Sequence, residues 1–203
     1  MPFSWNDVAE KYARDPISDM AGYEAGLERV RAHLTPEMRV LEMGCGTGMT
    51  ARRLAPSVTH IHGTDGAEAM IEIARRMAAA EGPPNLSFER MEIGGAALDG
   101  EPFDAVMAFN LLHLADDLGD AIANMRARVS RGGLAISKTP CLGRFAPLKP
   151  VVGAMRIMGK APRVRFFRPA TLERAFTAAG FEIVELWSQP GWLPRPLIVA
   201  RLT

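Results

Sequence analysis

The spacing of apolar residues alternates along this chain between helical and strand-like periods, and the alternation predicts the fold. Residues 4–14 and 17–34 read as two helices. In the second, Met20, Tyr23, Leu27, Val30 and Leu34 recur at helical intervals and predict a buried face, which Thr35-Pro36 ends. A strand follows over 38–43, then a helix over 47–55 that Pro56 stops. The stretch 58–64 reads as a second strand, and 67–80 as a helix with Met70, Ile73, Ala74 and Met77 on one face. Strands are predicted over 85–91 and 103–109, the latter so apolar that it reads as buried on both faces. A helix over 118–129, closed by Gly132-Gly133, leads to a fifth strand over 134–139. Arg168-Pro169 opens a last helix that Gly180 ends, and 181–187 and 197–202 read as two late strands.

Strand and helix alternate five times, with crossovers long enough for parallel pairing. That predicts an α/β, doubly wound sheet with helices on both faces. The final two strands have no helix between them and predict a hairpin at one edge, so the seven-stranded sheet is mostly parallel with its last strand antiparallel. At 203 residues a single domain is expected. Its parts are an amino-terminal helical cap (1–35), a core (36–140), an insertion after strand 5 (141–168), and a final helix with the edge hairpin (169–203).

One stretch concentrates the candidate chemistry. Val40-Leu41-Glu42-Met43 is an apolar run ending in an acidic residue, and Gly44, Cys45, Gly46, Thr47 and Gly48 follow with glycines at alternate positions. Such a strand, turn and helix start suits a ligand that approaches the backbone closely. The dinucleotide fingerprint Gly-x-Gly-x-x-Gly is missed, because Met49 stands at its third glycine and Gly48 falls one residue early. A carboxylate at Glu42 would repel a pyrophosphate and suits a cationic amino group.

The stretch resembles the Glu/Asp-x-Gly-x-Gly-x-Gly pattern of class I S-adenosylmethionine-dependent methyltransferases of the small-molecule type. Phe103-Asp104-Ala105-Val106, Asn110-Leu111-Leu112-His113, Arg131-Gly132-Gly133-Leu134 and Ala178-Ala179-Gly180-Phe181 resemble later segments of the same family, in order. The resemblance implies a Rossmann-like fold, S-adenosylmethionine as cofactor, and methyl transfer by in-line displacement to a small-molecule acceptor. It implies that Glu42 with Gly44, Cys45, Gly46 and Gly48 holds the methionine end. Asp65, followed by Gly66, would hold the ribose diol, and Met70 would lie near the adenine. Glu92 and Ile93 stand where the family places an Asp for the adenine amine, and Asn110 lies in the segment after the fourth strand. Glu92 departs from that pattern by one methylene. Tyr12, in a helix that folds over the cofactor in this family, is a candidate cation–π partner for the sulfonium, or a packing residue. His113 is the candidate proton acceptor, or a histidine that only lines the acceptor site.

Charge distribution bears on the acceptor. Seven basic residues (Arg144, Lys149, Arg156, Lys160, Arg163, Arg165 and Arg168) and no acidic one lie between 142 and 172, although the whole chain carries only +1. Mixed with the apolar residues of 145–167, they suggest a lid over an apolar or anionic acceptor, lipid- or quinone-like. A solvated cationic loop and peripheral contact with an anionic membrane surface are the other readings. A helix within 147–159 is expected to turn Val151, Val152, Met155 and Met158 inward. No Asn/Asp-Pro-Pro-Tyr-type tetrapeptide follows the fourth strand, so no nucleic-acid substrate is expected. His60 and His62 have no third ligand nearby in sequence, and no metal is expected. No apolar run approaches the ~20 residues of a membrane span, no signal peptide is read at the start, and the two cysteines lie far apart. These features point to a reducing, cytoplasmic setting. The sequence does not choose between a monomer and a homodimer. The rival readings are a methyltransferase-like cofactor-binding subunit without turnover and an NAD(P)-binding oxidoreductase.

Overall fold

The strand β1, Arg39–Met43, is buried along its whole length except at Arg39. It is an interior strand of the sheet, between His60–Asp65 and Phe103–Phe109. The computed structural model describes residues 3–95 and 102–203. Its seven strands run β3 (Leu86–Arg90), β2 (His60–Asp65), β1, β4 (Phe103–Phe109), β5 (Val129–Lys138), β7 (Leu197–Leu202) and β6 (Phe181–Trp187) across the sheet. The pairs β1–β2, β1–β4, β2–β3 and β4–β5 are parallel. β7 is antiparallel to both β5 and β6, which makes the late hairpin one edge of the sheet as the missing helix predicts.

Alternation along the strands divides the core between two faces. Leu41, Val106, Ala135 and Ile198 pack with α5 (Leu118–Arg128) and α7 (Pro169–Ala178) through Ile122, Met125, Leu172 and Phe176. On the opposite face Val40, Ile61, Met107 and Ile136 meet α2 (Met20–Arg31), α3 (Met49–Leu54) and α4 (Glu68–Glu81). A smaller cluster of Ala9, Ala67, Met70 and Ile73 joins α1 (Trp5–Arg14) to the outside of α4. Short side chains set the helix starts. Ser4, Asp19 and Asp117 each accept a first-turn N–H, and the Asp19 cap begins α2 at Met20 instead of residue 17.

Three expectations change. Gly132-Gly133 does not close α5, because β5 begins directly after Arg128. Between Phe103 and Ala105 of β4 the partner register on β5 advances from Val129 to Leu134, so residues 130–133 form a bulge, with Gly132 in the left-handed region at φ 77°. The helix after β1 is shorter than expected: α3 begins at Met49 and not at 47, and it ends at Leu54 ahead of Pro56, which sits in a 3₁₀ turn, Ala55–Ser57. The insertion holds a 3₁₀ segment, Leu142–Leu148, and the helix α6, Lys149–Ile157, and α6 buries none of its residues. Val151, Met155 and Met158, expected inward, face solvent and Val152 is half-buried. The sheet faces are already covered by the other helices, which leaves this stripe no apolar surface to pack on.

Phe176 is fully buried and sets its ring edge-on to Phe181 at 5.8 Å, joining α7 to β6. Phe176→Ala should therefore cost about 3–5 kcal/mol in urea denaturation. A loss under about 1 kcal/mol would mean that α7 is not integral to the core.

Candidate active site

The switch in strand order lies between β1 and β4, and the turn after β1 opens at the carboxyl end of the sheet, where α/β folds bind ligands. Gly44, Gly46 and Gly48 all adopt left-handed φ angles, of 65°, 54° and 71°. At Gly46 the conformation also serves access, since a Cβ there would meet only Tyr12 Cε1, at 3.8 Å. At Gly44 a Cβ would stand 2.4 Å from Leu111 Cδ1, so the segment after β4 packs directly on the turn. Cys45 donates its N–H to Thr64 O at 2.9 Å, and its buried thiol is pushed well up, chiefly by desolvation and then by Glu42 and Asp65. It fills space and is no nucleophile.

Asp65 ties the turn to the next helix. Oδ2 accepts the N–H of Gly46 at 2.9 Å and Oδ1 accepts that of Ala67 at 2.9 Å. Burial raises its pKa, the two N–H groups oppose the rise, and the Glu92 carboxylate adds to it. Each oxygen keeps a further lone pair for a hydroxyl. Gly66 leaves room for Glu92, whose Oε2 lies 2.7 Å from where a Cβ would be. Glu92 itself is exposed just past β3, where Met91 donates to Asp65 O at 2.9 Å.

Glu42 is 2% exposed and its Oε2 has no hydrogen-bond partner. Desolvation pushes its pKa up to about 8 against the N–H of Ala51, with Asp65 adding to the rise. A buried acceptor without a donor, beside a turn open at Gly46, fits the cationic amino-acid end of S-adenosylmethionine. Tyr12 stands half-exposed over the turn, edge-on to Trp5 at 6.3 Å, its phenol raised by burial and by Asp65 and Glu42.

Other expected residues are placed as follows. Met70 is buried in the cluster between α1 and α4, and Ile93 is half-buried against the α5–α7 core. Asn110 follows β4 with φ 51° and donates its N–H to Lys138 O at 2.8 Å, a left-handed turn that asparagine tolerates. His113 follows on the same segment. Its Nδ1 is buried without a partner, and burial, with Arg195 second, lowers its pKa to about 4. His60 and His62 share the hydroxyl of Ser87 at 2.7 and 2.8 Å.

Two neighbours escaped the sequence reading. Tyr23 belongs to the packing face of α2, yet its hydroxyl meets Thr50 Oγ1 at 2.9 Å and burial, aided by Glu42, pushes its phenol up to about 12. The only signal was a polar-tipped aromatic on an aliphatic stripe. Arg195 precedes β7 and acts electrostatically on His113 and Lys138, a proximity set by the hairpin and invisible in sequence spacing. The basic segment is also partly neutralised. Arg163 pairs with Asp116, Arg165 Nη2 lies 3.8 Å from Asp117 Oδ2, and Arg165 donates its backbone N–H to His113 O at 2.7 Å.

Comparison with known proteins identifies the family. The methyltransferase domain family matches residues 11–186. A ubiquinone biosynthesis O-methyltransferase of Methylocella silvestris is 36% identical over 185 residues, covering 86% of this chain and 70% of that protein. The structure of magnesium protoporphyrin IX methyltransferase from Synechocystis PCC 6803 with bound SAH is similar at TM-score 0.69 and 20% identity, over 90% of this chain and 84% of that one. Geranyl diphosphate methyltransferase in complex with GPP and sinefungin is similar at TM-score 0.72 and 15% identity, over 89% and 77%. The dehydrogenase and inactive-subunit readings fall away. The chain belongs to the methyltransferase domain family and is an S-adenosylmethionine-dependent methyltransferase.

Proposed function

We propose that this enzyme methylates a hydroxyl of an apolar, quinone- or lipid-like small molecule in the cytoplasm, with His113 as proton acceptor. The observation that carries the reading is the buried, unpartnered Nδ1 of His113 at the carboxyl end of β4, beside the cation of Arg195. The 36% identical relative, named for O-methylation in ubiquinone biosynthesis, supports the acceptor class.

When bound, S-adenosylmethionine supplies a methyl carbon made electrophilic by its positive sulfur. Glu42 would hold the cofactor's amino group, Asp65 its ribose hydroxyls, and Glu92 with Ile93 its adenine, with Gly46 leaving the approach clear and Tyr12 covering it. His113, neutral across the physiological range, accepts a hydrogen bond from the acceptor hydroxyl and so aims an oxygen lone pair. A weak base suffices. A hydroxyl oxygen becomes far more acidic as it gains a third bond, so its proton would pass to Nδ1 late in the step. Arg195 favours negative charge on that oxygen or on an anionic group of the acceptor. Residues 141–168 act as a lid that excludes water as a competing nucleophile.

Two measurements test these roles. With alkyl-substituted phenols and hydroquinones as acceptors, His113→Gln should lower kcat about 10²-fold or more while leaving S-adenosylmethionine affinity unchanged. Retention of kcat would remove His113 from the chemistry. The second measurement concerns Glu42, whose folded-state pKa is raised from 4.5 to about 8. Its bound proton stabilises the cofactor-free fold below pH 4.5, and that contribution is lost as pH climbs toward 8. Glu42→Gln should therefore be more stable than the parent at pH 8, with the difference shrinking toward pH 5, in urea melts of the cofactor-free protein. The same variant should bind S-adenosylmethionine about tenfold or more weakly in calorimetry, since it loses a charge-assisted hydrogen bond.

A further inference from the structure

The insertion after β5 carries an amphipathic helix turned outward. Leu148, Val151, Met155 and Met158 recur at intervals of three, four and three, which places them in one stripe. All four face water, at 39–58% exposure, and the adjoining Ile157 is 87% exposed. A nine-residue helix with no buried residue is marginal without a surface to lie on. Trp192, 74% exposed in the loop before β7, extends the patch. Its ring meets Phe145 edge-on at 5.4 Å, and its carbonyl accepts from Arg144 Nη1 at 3.1 Å. The 3₁₀ segment and the Trp192 loop are therefore one continuous surface. It lies on the His113 side of the sheet's carboxyl end, where Arg165 bonds His113 O.

The charge on this surface says what covers it. Lys149 and Arg156, seven residues apart on α6, share a face away from the apolar stripe, Lys160 follows just past the helix, and residues 142–172 contain no acidic side chain. Arg163 and Arg165 are engaged by Asp116 and Asp117, whereas Arg156 and Lys160 are exposed and in no ion pair among the described residues. A symmetric contact with a second copy would set these cations against themselves. An anionic lipid surface instead accepts the apolar stripe among its acyl chains, the indole at its interface and the cations at its headgroups.

We propose that α6, the preceding 3₁₀ segment and the Trp192 loop form a docking face that seats this enzyme on an anionic bilayer. The reading does not depend on the acceptor or on His113, because vesicle binding is measured with neither turnover nor acceptor. In co-sedimentation, the full chain should bind phosphatidylcholine vesicles containing phosphatidylglycerol, bind pure phosphatidylcholine far less, and release as salt is raised. Arg156→Glu with Lys160→Glu should weaken binding at least ~30-fold. Val151→Asp with Met158→Asp should also abolish it, with S-adenosylmethionine affinity unchanged as the check on folding. The charge variant keeps the test valid if the apolar variant misfolds. Equal binding to both vesicle types, no binding, or insensitivity to the charge variant would overturn the proposal. So would a dimer in light scattering that the Val151→Asp, Met158→Asp variant converts to monomer, because the face would then belong to self-association.

Discussion

The Asp65 carboxylate is the constraint on which the site depends. One side chain, at the end of β2, holds the N–H of Gly46 in the turn after β1 and the N–H of Ala67 at the start of α4. It thereby sets the distance between two strand ends and orients the first turn of a helix at once. The left-handed glycines permit the turn, but they do not choose its shape. The carboxylate does, and in a partly desolvated place where a misplaced N–H would find no water to replace it. Glu42 lies behind the same turn with one oxygen unsatisfied, so the scaffold spends stability there and recovers it only when a suitable donor arrives.

Much of this was legible in the residues. The alternate glycines after Glu42 identified the turn, because only a backbone forced into positive φ needs three glycines in five positions. Phe103–Phe109 and Leu197–Leu202 were legible as nearly continuous apolar runs buried on both faces, and Phe181–Trp187 as an alternating edge strand. What was not legible depends on contacts between distant segments. The bulge at 130–133 arises from the register that β4 imposes on β5, and no local signal separates it from a helix-closing Gly-Gly. Tyr23 reaches Thr50 only because α2 and α3 share a face of the sheet. The helix α6 was legible but its outward face was not, for a simpler reason: amphipathic spacing reports that an apolar stripe exists and is silent on whether protein, lipid or water lies against it.

The insertion and the edge hairpin shape one end of the molecule together. The cofactor turn is built from β1, β2 and the helices that follow them, whereas His113, Arg165, Arg195 and Trp192 come from later segments that meet only in the folded sheet. On the proposed roles, cofactor handling and acceptor handling occupy different stretches of chain, joined sterically where Leu111 packs against Gly44. Change in the later stretch can alter what is methylated without disturbing the methyl donor's seat.

The position of β7 bears on how the molecule is made. It is an interior strand, clasped between β5 and β6 and buried along all six residues but Arg201. Synthesis proceeds from the amino end, so the cofactor turn and five parallel strands are made before the strand that joins β5 to β6 exists. Until Leu202 has emerged, β5 presents an open edge of Leu134, Ala135 and Ile136. A nascent chain at that stage holds most of a methyltransferase and an adhesive border together, which leaves it open to wrong pairing until β7 is in place.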